Sequence, residues 1–384
     1  MSGERRPRGP GSRAGIRPGG ETRGRDVAIV GGGIAGTSLA ALLAEAGASV
    51  RLYEREAIAA AASGRNSGVL QHPLDETLTD LHERTLALYE GLGHGFAYPP
   101  EPSGVLVLGD DPEPLRREHD DLAARFPEVA PRWLEGAELR AAEPGLGEDL
   151  YAYRLETGRP VPPASATRAW AERARAAGAQ LRIGVAVESV AIEGGRATGV
   201  RTPHGLDPAG AVALAAGPWT SPLATNVPDT FVAPLWGVNV EVRLPEPPRH
   251  VLEQGGIDAF IAAGGGASSL FSIVTADGVS AVGSTFLPDE PDPRVAAPLL
   301  LERGARFLPA LGKLEAFAAR ACPRPASFDS RPLLGPHRDV EGLYVISGHG
   351  AWGISLAPGS AELVAGAILG DGTEIPPELA ASRA

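Results

Sequence analysis

Six residues near the start of the chain, 31–36 (GGGIAG), have the types and spacing that bind phosphate groups. They fit the glycine spacing of two nucleotide-binding patterns at once. The nucleoside-triphosphate pattern requires a lysine directly after the last glycine to reach the β- and γ-phosphates, but that position is Thr37. The dinucleotide pattern G-x-G-x-x-G is met in full by Gly31, Gly33 and Gly36. The sequence therefore favours a dinucleotide over a triphosphate.

The elements around these glycines are those that position a dinucleotide. Residues 26–30 (DVAIV) are typical of a buried parallel strand, and residues 37–46 predict a helix that ends at Gly47. A second strand at 49–53 closes with Glu54, whose carboxylate would accept hydrogen bonds from a ribose and repel a 2′-phosphate. The helix N-terminus would attract the pyrophosphate. This unit disfavours NADP but does not distinguish FAD from NAD.

The composition excludes several classes of protein. The 384 residues carry a formal net charge of −12, which disfavours nucleic acid and anionic membrane surfaces as partners. The single cysteine, Cys322, excludes an internal disulfide and fits a reducing, cytoplasmic compartment. The eight histidines and the cysteine show no metal-ligand spacing, and no stretch approaches the roughly 20 uninterrupted apolar residues of a membrane span. Residues 1–25 predict a disordered basic arm, and Lys313 is the only lysine.

Beyond residue 56 two kinds of predicted element alternate along the chain. Between residues 231 and 286 short strands alternate with Gly and Pro turns, which predicts an antiparallel sheet. Segments of the predicted nucleotide-binding domain lie on either side of this sheet in the sequence. They are strands at 211–216 and 343–346 and a last helix from about 360 to 369. The pattern predicts an α/β fold, α+β overall, with a Rossmann-like domain and a discontinuous second domain built on an antiparallel sheet. This interleaving disfavours an ordinary NAD dehydrogenase, whose Rossmann half is contiguous.

Five sequence blocks carry a resemblance to a known family. They are GGGIAG with Glu54, SGRNSG at 63–68, ALAAGPW at 213–219, RPASFDSRPLLGP at 324–336 and GLYVISGHGAWGISLAPG at 342–359. Together they resemble the D-amino-acid oxidase-type FAD-dependent oxidoreductases, the group that includes glycine, sarcosine and D-amino-acid oxidases and dehydrogenases. The resemblance extends over residues 26–370. It implies that the dinucleotide is FAD, whereas none of the blocks determines the substrate.

The resemblance also implies which residues hold the FAD. The family places the second block beside the pyrophosphate and flavin ring, the third near the adenosine half, and the last under the flavin. A helix start there suits the negative charge of the reduced ring. The FAD-binding residues that follow are Gly31, Gly33, Ile34, Ala35, Gly36, Glu54, Arg55, Ser63, Arg65, Asn66, Ser67, Gly68, Val187, Ala216, Gly217, Trp219, Gly350, Gly353, Ile354 and Ser355. The expected divisions are an arm at 1–25, an FAD-binding domain at 26–98, 155–229 and 323–372, a substrate domain at 99–154 and 230–322, and a tail at 373–384.

One arginine is the candidate for binding the substrate. In many amino-acid-oxidising members the arginine of an Arg-Pro pair, five residues before an Asp, binds the substrate carboxylate, and Arg324 precedes Asp329 by that spacing. A guanidinium fork makes two parallel charge-assisted hydrogen bonds to a carboxylate. The alternative is that Arg324 pairs with a neighbouring acid such as Asp329. His72 and His349 are the best-placed titratable groups for catalysis, although a hydrogen-bonded loop histidine is the more common role.

Two further residue types bear on the flavin linkage and the electron acceptor. Sarcosine-oxidase-like members bind FAD through a cysteine seven residues before a comparable Asp, which is the position of Cys322. Because a lone cysteine is more often a buried inert thiol, we expect non-covalent FAD, with a link through Cys322 as the alternative. Those members also activate oxygen with a lysine over the flavin, but Lys313 lies in a charged helix. O2 and another electron acceptor therefore both remain candidates.

Trp236 and Trp352 either line the substrate pocket or pack in the core.

The reaction that the resemblance implies is hydride transfer to flavin N5 from an amino acid or secondary amine of the D-amino acid, glycine or N-methyl type, giving an imine that hydrolyses. Oxidation of a 2-hydroxy acid is the first alternative, because it would use the same carboxylate clamp. A flavin-binding protein without turnover is the second alternative.

Overall fold

The computed structural model describes residues 25–223, 232–255 and 268–383. Apart from Arg25, the predicted basic arm lies outside the described residues, as does the predicted start of the antiparallel sheet at residue 231. The helices are α1 (Ile34–Glu45), α2 (Ala62–Arg65), α3 (Glu76–Glu90), α4 (Pro112–Arg125), α5 (Gly136–Ala142), α6 (Ser165–Ala176), α7 (Thr220–Leu223), α8 (Pro293–Ala305) and α9 (Gly353–Leu369).

The strands fall into four sheets within the described residues. They are β1 (Asp26–Val30), β2 (Ser49–Glu54), β3 (Val69–Leu70), β4 (Val105–Gly109), β5 (Arg132–Glu135), β6 (Tyr151–Leu155), β7 (Arg159–Pro160), β8 (Gln180–Ile183), β9 (Ser189–Glu193), β10 (Arg196–Thr202), β11 (Gly205–Pro208), β12 (Ala211–Leu214), β13 (Val232–Val242), β14 (Val251–Gln254), β15 (Ser268–Ala276), β16 (Val279–Phe286), β17 (Ala318–Ser327), β18 (Leu333–Pro336) and β19 (Leu343–Ser347).

The parallel sheet has the strand order β18-β19-β12-β1-β2-β8, and only the edge pair β18–β19 is antiparallel. Its central strand is apolar on both faces because both are covered. Val27 and Ile29 pack in the core that also contains α1, α6 and α9, whereas Ala28 and Val30 pack towards the three-stranded sheet of β9, β10 and β11. Such two-sided burial is why residues 27–30 form an uninterrupted apolar run.

The large sheet has the order β17-β13-β16-β15-β14-β4-β6-β5, and it is antiparallel except where β14 pairs with β4. Helix α8 packs against its strands around a second apolar core. The chain enters this sheet at β4 and again at β13, between visits to the parallel sheet. The predicted fold class is confirmed. The predicted domain limit between residues 322 and 323 falls inside β17.

Two helices begin earlier than the sequence indicates. Helix α1 begins at Ile34, inside the glycine motif, because Gly33 already takes the extended N-cap conformation. Helix α9 begins at Gly353, and Pro358 lies inside it, although proline usually ends a helix. Pro358 has no N–H to donate to the Ile354 carbonyl oxygen, which instead accepts a hydrogen bond of 2.7 Å from the Tyr89 hydroxyl of α3. The missing helical bond is thus replaced from a neighbouring helix.

The same neighbour stabilises the next turn of α9. The Gly359 amide donates to Thr85 Oγ1 at 3.0 Å. A Cβ atom at Gly359 would lie 2.3 Å from the Leu81 carbonyl oxygen, so glycine is needed for the two helices to approach this closely. Helix α3 therefore compensates for Pro358. From the sequence alone, this proline indicates a helix that starts only near residue 360.

Helical residues Gly350–Leu369 are long and apolar enough, by length and composition, to cross a membrane, with a mean hydropathy of 1.3. However, 83% of the 18-residue window within it that gives this value is buried inside the protein. Glu362 interrupts the apolar run and pairs with Arg84 at 2.9 Å. The burial is that of a core helix packed between α1 and α3.

Candidate active site

A cleft lined by residues of the parallel sheet and of the large sheet contains the starts of two long helices, α1 and α9. Neither N-cap residue, Gly33 or Trp352, supplies a side-chain cap, and neither helix has an acidic residue in its first turn. Helix N-termini carry free N–H groups and a partial positive charge. Two such ends in one cleft form a binding place for the negative groups of a ligand.

The glycine motif is compact on its protein side and open on its cleft side. Gly31 has φ +116°, and a Cβ atom there would lie 2.3 Å from the Ala215 carbonyl oxygen. A Cβ atom at Gly36, which does not line the cleft, would lie 2.0 Å from the Gly31 carbonyl oxygen. From a Cβ atom placed at Gly33, the only atom of the described residues within 4 Å outside the adjoining chain is Ser63 Oγ, at 3.1 Å. The loop therefore leaves room for a ligand at Gly33.

Glu54 lines the cleft and also orders the glycine loop. Its Oε2 accepts a hydrogen bond of 2.7 Å from the Gly32 amide, and its Oε1 accepts one of 2.8 Å from the Glu56 amide. Each carboxylate oxygen has a second lone pair, which leaves capacity for the hydroxyl groups of a ribose.

The residues predicted to lie near the adenosine also line the cleft, namely Val187, Ala216, Gly217 and Trp219. The guanidinium carbon of Arg55 lies 4.0 Å from the centroid of the Trp219 ring. This cation–π pair presents flat surfaces to the cleft, which suit stacking with a planar base.

The second sequence block crosses the start of α1. Ser63 Oγ accepts a hydrogen bond of 2.9 Å from the Ile34 amide. Ser63, Asn66 and Ser67 line the cleft, whereas Gly68 does not. Gly68 turns the chain at φ +83°, and its amide donates to Asn66 Oδ1 at 2.8 Å.

Arg65 is the other predicted FAD-binding residue of this block that does not line the cleft. Its carbonyl oxygen accepts hydrogen bonds from Asn239 Nδ2 at 3.1 Å and from Arg320 Nε at 3.2 Å. Arg320 also donates to the Asn66 carbonyl oxygen at 3.0 Å and pairs with Glu241. The large sheet therefore holds the second block in place, and the sequence did not indicate Asn239 or Arg320. The alternation of side chains along a strand could have indicated Arg320. It lies four residues before Arg324, and so on the same face of β17.

The residues predicted to lie under the flavin, Gly350, Gly353, Ile354 and Ser355, all line the cleft at the start of α9. Ser355 Oγ accepts a hydrogen bond of 3.1 Å from the Gln71 amide. Gln71 itself and Glu253 of β14 line the cleft as well. The sequence indicated neither, because their meeting depends on sheet pairing between distant segments.

The Arg324 guanidinium lines the cleft although the residue is only 8% exposed. Nη1 donates to the Thr285 carbonyl oxygen at 2.9 Å, and Nη2 donates to Ser284 Oγ. The guanidinium carbon lies 4.6 Å from the centroid of the Phe286 ring. Burial lowers the pKa of Arg324. Strand β16 thus fixes the plane of this cation through neutral groups.

Asp329 does not pair with Arg324. Its carboxylate accepts hydrogen bonds from Arg383 at 2.9 and 3.0 Å and from the Arg331 amide at 3.1 Å. Burial raises the pKa of Asp329, but these hydrogen bonds outweigh it and hold the pKa below its usual value. Among the described residues, Arg324 makes no ion pair with a carboxylate.

His349 lines the cleft and is only 4% exposed. Its Nε2 lies 3.0 Å from Ser360 Oγ, which donates its own proton to the Leu356 carbonyl oxygen at 3.0 Å. Nε2 must therefore carry a proton and donate it to Ser360. Burial lowers the pKa of His349 to about 4, so the ring is neutral near pH 7.

His72 is not brought to the cleft. Its Nδ1 accepts a hydrogen bond of 3.1 Å from the Leu74 amide, and its ring packs edge-on against Phe126 at 5.5 Å. Burial lowers the pKa of His72. The chain turns away directly after the second block, and this leaves His72 in a structural position between α3 and the loop that follows α4.

Cys322 lines the cleft as a buried thiol, with Sγ 3.8 Å from the Ala62 carbonyl oxygen. Burial raises the pKa of Cys322, although the neighbouring arginines oppose this, so the thiol form predominates. A protonated thiol is a poor nucleophile, which agrees with non-covalent FAD. Trp352 lines the cleft, whereas Trp236 is not among the lining residues.

Comparison with known proteins bears on the family of the chain. Residues 26–367 match the family described as DAO, FAD dependent oxidoreductase. The hydrogen cyanide synthase subunit HcnC of Pseudomonas aeruginosa is 30% identical over 297 residues, which cover 74% of this chain and 68% of HcnC. The bifunctional protein ThiO/ThiG of Trichormus variabilis is 29% identical over 365 residues, covering 89% of this chain, which spans only about half (52%) of that protein.

A solved structure extends the comparison to the fold. The crystal structure of glycine oxidase from Geobacillus kaustophilus is 26% identical, has a TM-score of 0.79, and the match covers 94% of this chain and 99% of that one. The cleft fits the cofactor of this family, since it offers two helix N-termini without acidic residues in their first turns, an open glycine and a carboxylate at the end of β2. The chain therefore belongs to the DAO family of FAD-dependent oxidoreductases, as its five sequence blocks indicate.

Proposed function

We propose that this enzyme oxidises the C–N bond of an amino acid or secondary amine whose carboxylate binds Arg324. The observation that supports the proposal is a buried guanidinium that lines the cleft and has no carboxylate partner among the described residues. Buried charges in proteins are normally paired, because desolvation of an isolated ion is costly. A substrate carboxylate would supply the missing negative charge.

The neighbours of Arg324 support a carboxylate in particular. Thr285 and Ser284 are neutral acceptors, so they orient the guanidinium without cancelling its charge. The Phe286 ring holds it in plane from one side. A planar carboxylate can then meet the fork with two parallel hydrogen bonds.

The residues of the chain would act mainly by binding and orientation. Bound FAD supplies the acceptor for a hydride. The glycine motif, Glu54 and the start of α9 would hold this cofactor, and Arg324 would set the position of the substrate α-carbon. His349 is neutral and its Nε2 proton is engaged with Ser360, so we assign it a fixed hydrogen-bonding role and not that of a general base.

The name of a similar protein supports the amine. Glycine oxidase from Geobacillus kaustophilus is named for a substrate that has both a carboxylate and an amino group. A 2-hydroxy acid would use the same clamp, and the test below separates the two.

The test is anaerobic bleaching of the flavin absorbance by glycine, sarcosine, proline, D-amino acids and 2-hydroxyglutarate. We expect amines alone to bleach the holoenzyme, and admission of air to reveal whether O2 is the acceptor. Arg324→Ala should raise KM for the active amine about 100-fold, since a charged hydrogen-bonded pair is lost, whereas Arg324→Lys should lose less. Bleaching by 2-hydroxyglutarate alone, or an unchanged KM in Arg324→Ala, would contradict the proposal. A flavoprotein that nothing bleaches would indicate a non-catalytic role.

A further inference from the structure

Two side chains of α3 donate hydrogen bonds to the first turn of α9. The Tyr89 hydroxyl lies 2.7 Å from the Ile354 carbonyl oxygen, in place of the N–H that Pro358 lacks. His82 Nδ1 lies 3.3 Å from the Ser355 carbonyl oxygen. A carbonyl oxygen can only accept, so His82 carries its proton on Nδ1. The two side chains therefore act on consecutive peptide groups of this turn.

One of these peptide groups connects α3 directly to the cleft. The peptide that carries the Ile354 carbonyl also carries the N–H of Ser355, which lines the cleft. Ser355 is the third residue of α9, and the N–H groups of the first three residues of a helix have no acceptor within it. A donor at the carbonyl of a peptide polarises the whole group. Tyr89 therefore makes the Ser355 N–H a stronger donor.

The same helix start is where the topology directs the ring end of the FAD. In the parallel sheet, Glu54 ends β2 on one side of β1 and its glycine motif, whereas α9 follows β19 on the other side. With a ribose at Glu54 and the pyrophosphate at the glycine motif, the ring extends towards α9. His349, just before α9, forms a bridge with Ala326 of β17, two residues from Arg324. The helix start thus adjoins the strand that carries the candidate substrate arginine.

We propose that Tyr89 and His82 are positioning residues that raise the reduction potential of the FAD by polarising the first turn of α9. The ring gains negative charge on reduction, and the positive end of a helix stabilises that charge. Both residues act through α9, because both are buried and neither is among the residues that line the cleft. The inference needs FAD in the cleft but no particular substrate, so its test is separate from that of the proposed function.

The experiment measures the flavin midpoint potential of the holoenzyme against reference dyes, without substrate. Tyr89→Phe removes the hydroxyl and keeps the ring, whose centroid lies 5.2 Å from that of Phe96. We expect the reduced form to be destabilised about fivefold relative to the oxidised form, which lowers the two-electron potential by about 20 mV. The dissociation constant of oxidised FAD should change less than about twofold, since the oxidised ring lacks the added charge. Tyr98→Phe, which removes a hydroxyl without a hydrogen-bond partner among the described residues, should change neither quantity.

A rescue variant separates polarisation from general support of the helix. Pro358→Ala gives residue 358 an N–H of its own for the Ile354 carbonyl oxygen. In that background, Tyr89→Phe should leave the potential close to that of Pro358→Ala alone. A potential that falls as far as in the wild-type background would contradict the role of the Tyr89 hydroxyl.

His82 offers a matched pair of variants at the neighbouring peptide. Asparagine and leucine have nearly the same shape, but only asparagine keeps a side-chain N–H near the position of Nδ1. His82→Leu should lower the potential, whereas His82→Asn should preserve it. Unchanged potentials in both Tyr89→Phe and His82→Leu would overturn the inference, even with weaker FAD binding, because the contacts would then serve stability alone.

Discussion

Two buried histidines lie against α9, and both are neutral near pH 7. His82 Nδ1 lies 3.3 Å from the Ser355 carbonyl oxygen, and His349 Nε2 lies 3.0 Å from Ser360 Oγ. Burial lowers the pKa of each to about 4. Since the pKa of an exposed histidine is about 6.5, the unfolded chain takes up protons at these positions first as the pH falls.

We expect the free energy of unfolding to fall between pH 6.5 and pH 4, by about 3 kcal/mol for each of these histidines. The sign follows from the lowered pKa, which leaves stability intact above pH 6.5 and reduces it below. Urea denaturation of the holoenzyme at pH 7, 5.5 and 4 measures the slope. His82→Gln and His349→Gln should each flatten it, and His94→Gln, at an exposed position, should not. Wild-type slopes in both variants would contradict this explanation.

At the scale of single residues, the sequence predicts a role correctly where that role depends on neighbours along the chain. Gly31 and Gly33 could be assigned because a turn and an open approach depend on adjacent residues. His72 follows the second block directly, yet contact with Phe126 from a distant segment removes it from the cleft. The sequence also could not predict that Arg324 lacks a carboxylate partner among the described residues. That outcome depends on the pairing of Asp329 with Arg383.

At the scale of elements, α9 depends on α3 for its first turns. Pro358 leaves the Ile354 carbonyl oxygen without its helical donor, and Tyr89 supplies the replacement. Burial raises the pKa of Tyr89, so its hydroxyl keeps the proton that it donates. The helix start that lines the cleft is therefore fixed by a contact from 265 residues earlier in the chain.

Tyr89→Phe should destabilise the protein by about 1–3 kcal/mol, because it leaves a buried carbonyl oxygen without a donor. In a Pro358→Ala background the same substitution should cost less, since residue 358 then has an N–H of its own to donate. Thermal or urea unfolding of the four proteins forms a double-mutant cycle. Tyr98→Phe is the matched control, because the Tyr98 hydroxyl is buried without a hydrogen-bond partner in the part of the chain that the structure describes, and its removal should not destabilise the protein. Additive effects of Tyr89→Phe and Pro358→Ala would refute the compensation.

The limits of strands and helices were largely predictable where they depend on the pattern of apolar residues within the segment itself. Strand β1 has the predicted limits, and β19 begins at the predicted residue 343. The start of α9 was wrong by seven residues, because a proline is read as a helix boundary unless its distant hydrogen-bonding substitute is known.

At the scale of the whole molecule, Arg320 links the large sheet to the second sequence block, residues 63–68. It projects from β17 and donates to the carbonyl oxygens of Arg65 and Asn66, which belong to the block beside α1. Asn239 adds a third bond to the same block. The shape of the cofactor site therefore depends on the large sheet as well as on the Rossmann-like strands.

Arg320→Met should lower the affinity for FAD about tenfold and reduce the melting temperature, because the second block loses two donors and Glu241 loses its partner. Titration of the apoenzyme with FAD, followed by fluorescence quenching, measures the affinity. Arg320→Met/Glu241→Met should recover part of the stability but none of the affinity, since the carbonyl bonds stay lost. Arg243→Met, an exposed arginine of the same sheet region, is the control. An unchanged affinity in Arg320→Met would show that the link does not shape the site.

The order of the strands has a consequence for biosynthesis. The pieces that surround the cleft come from β1 near the start of the chain, β12 in the middle and α9 close to the end. A nascent polypeptide that has emerged only as far as residue 352 already has the glycine motif but lacks the second helix terminus. Full cofactor capture therefore awaits the synthesis of α9, long after the glycine motif has left the ribosome.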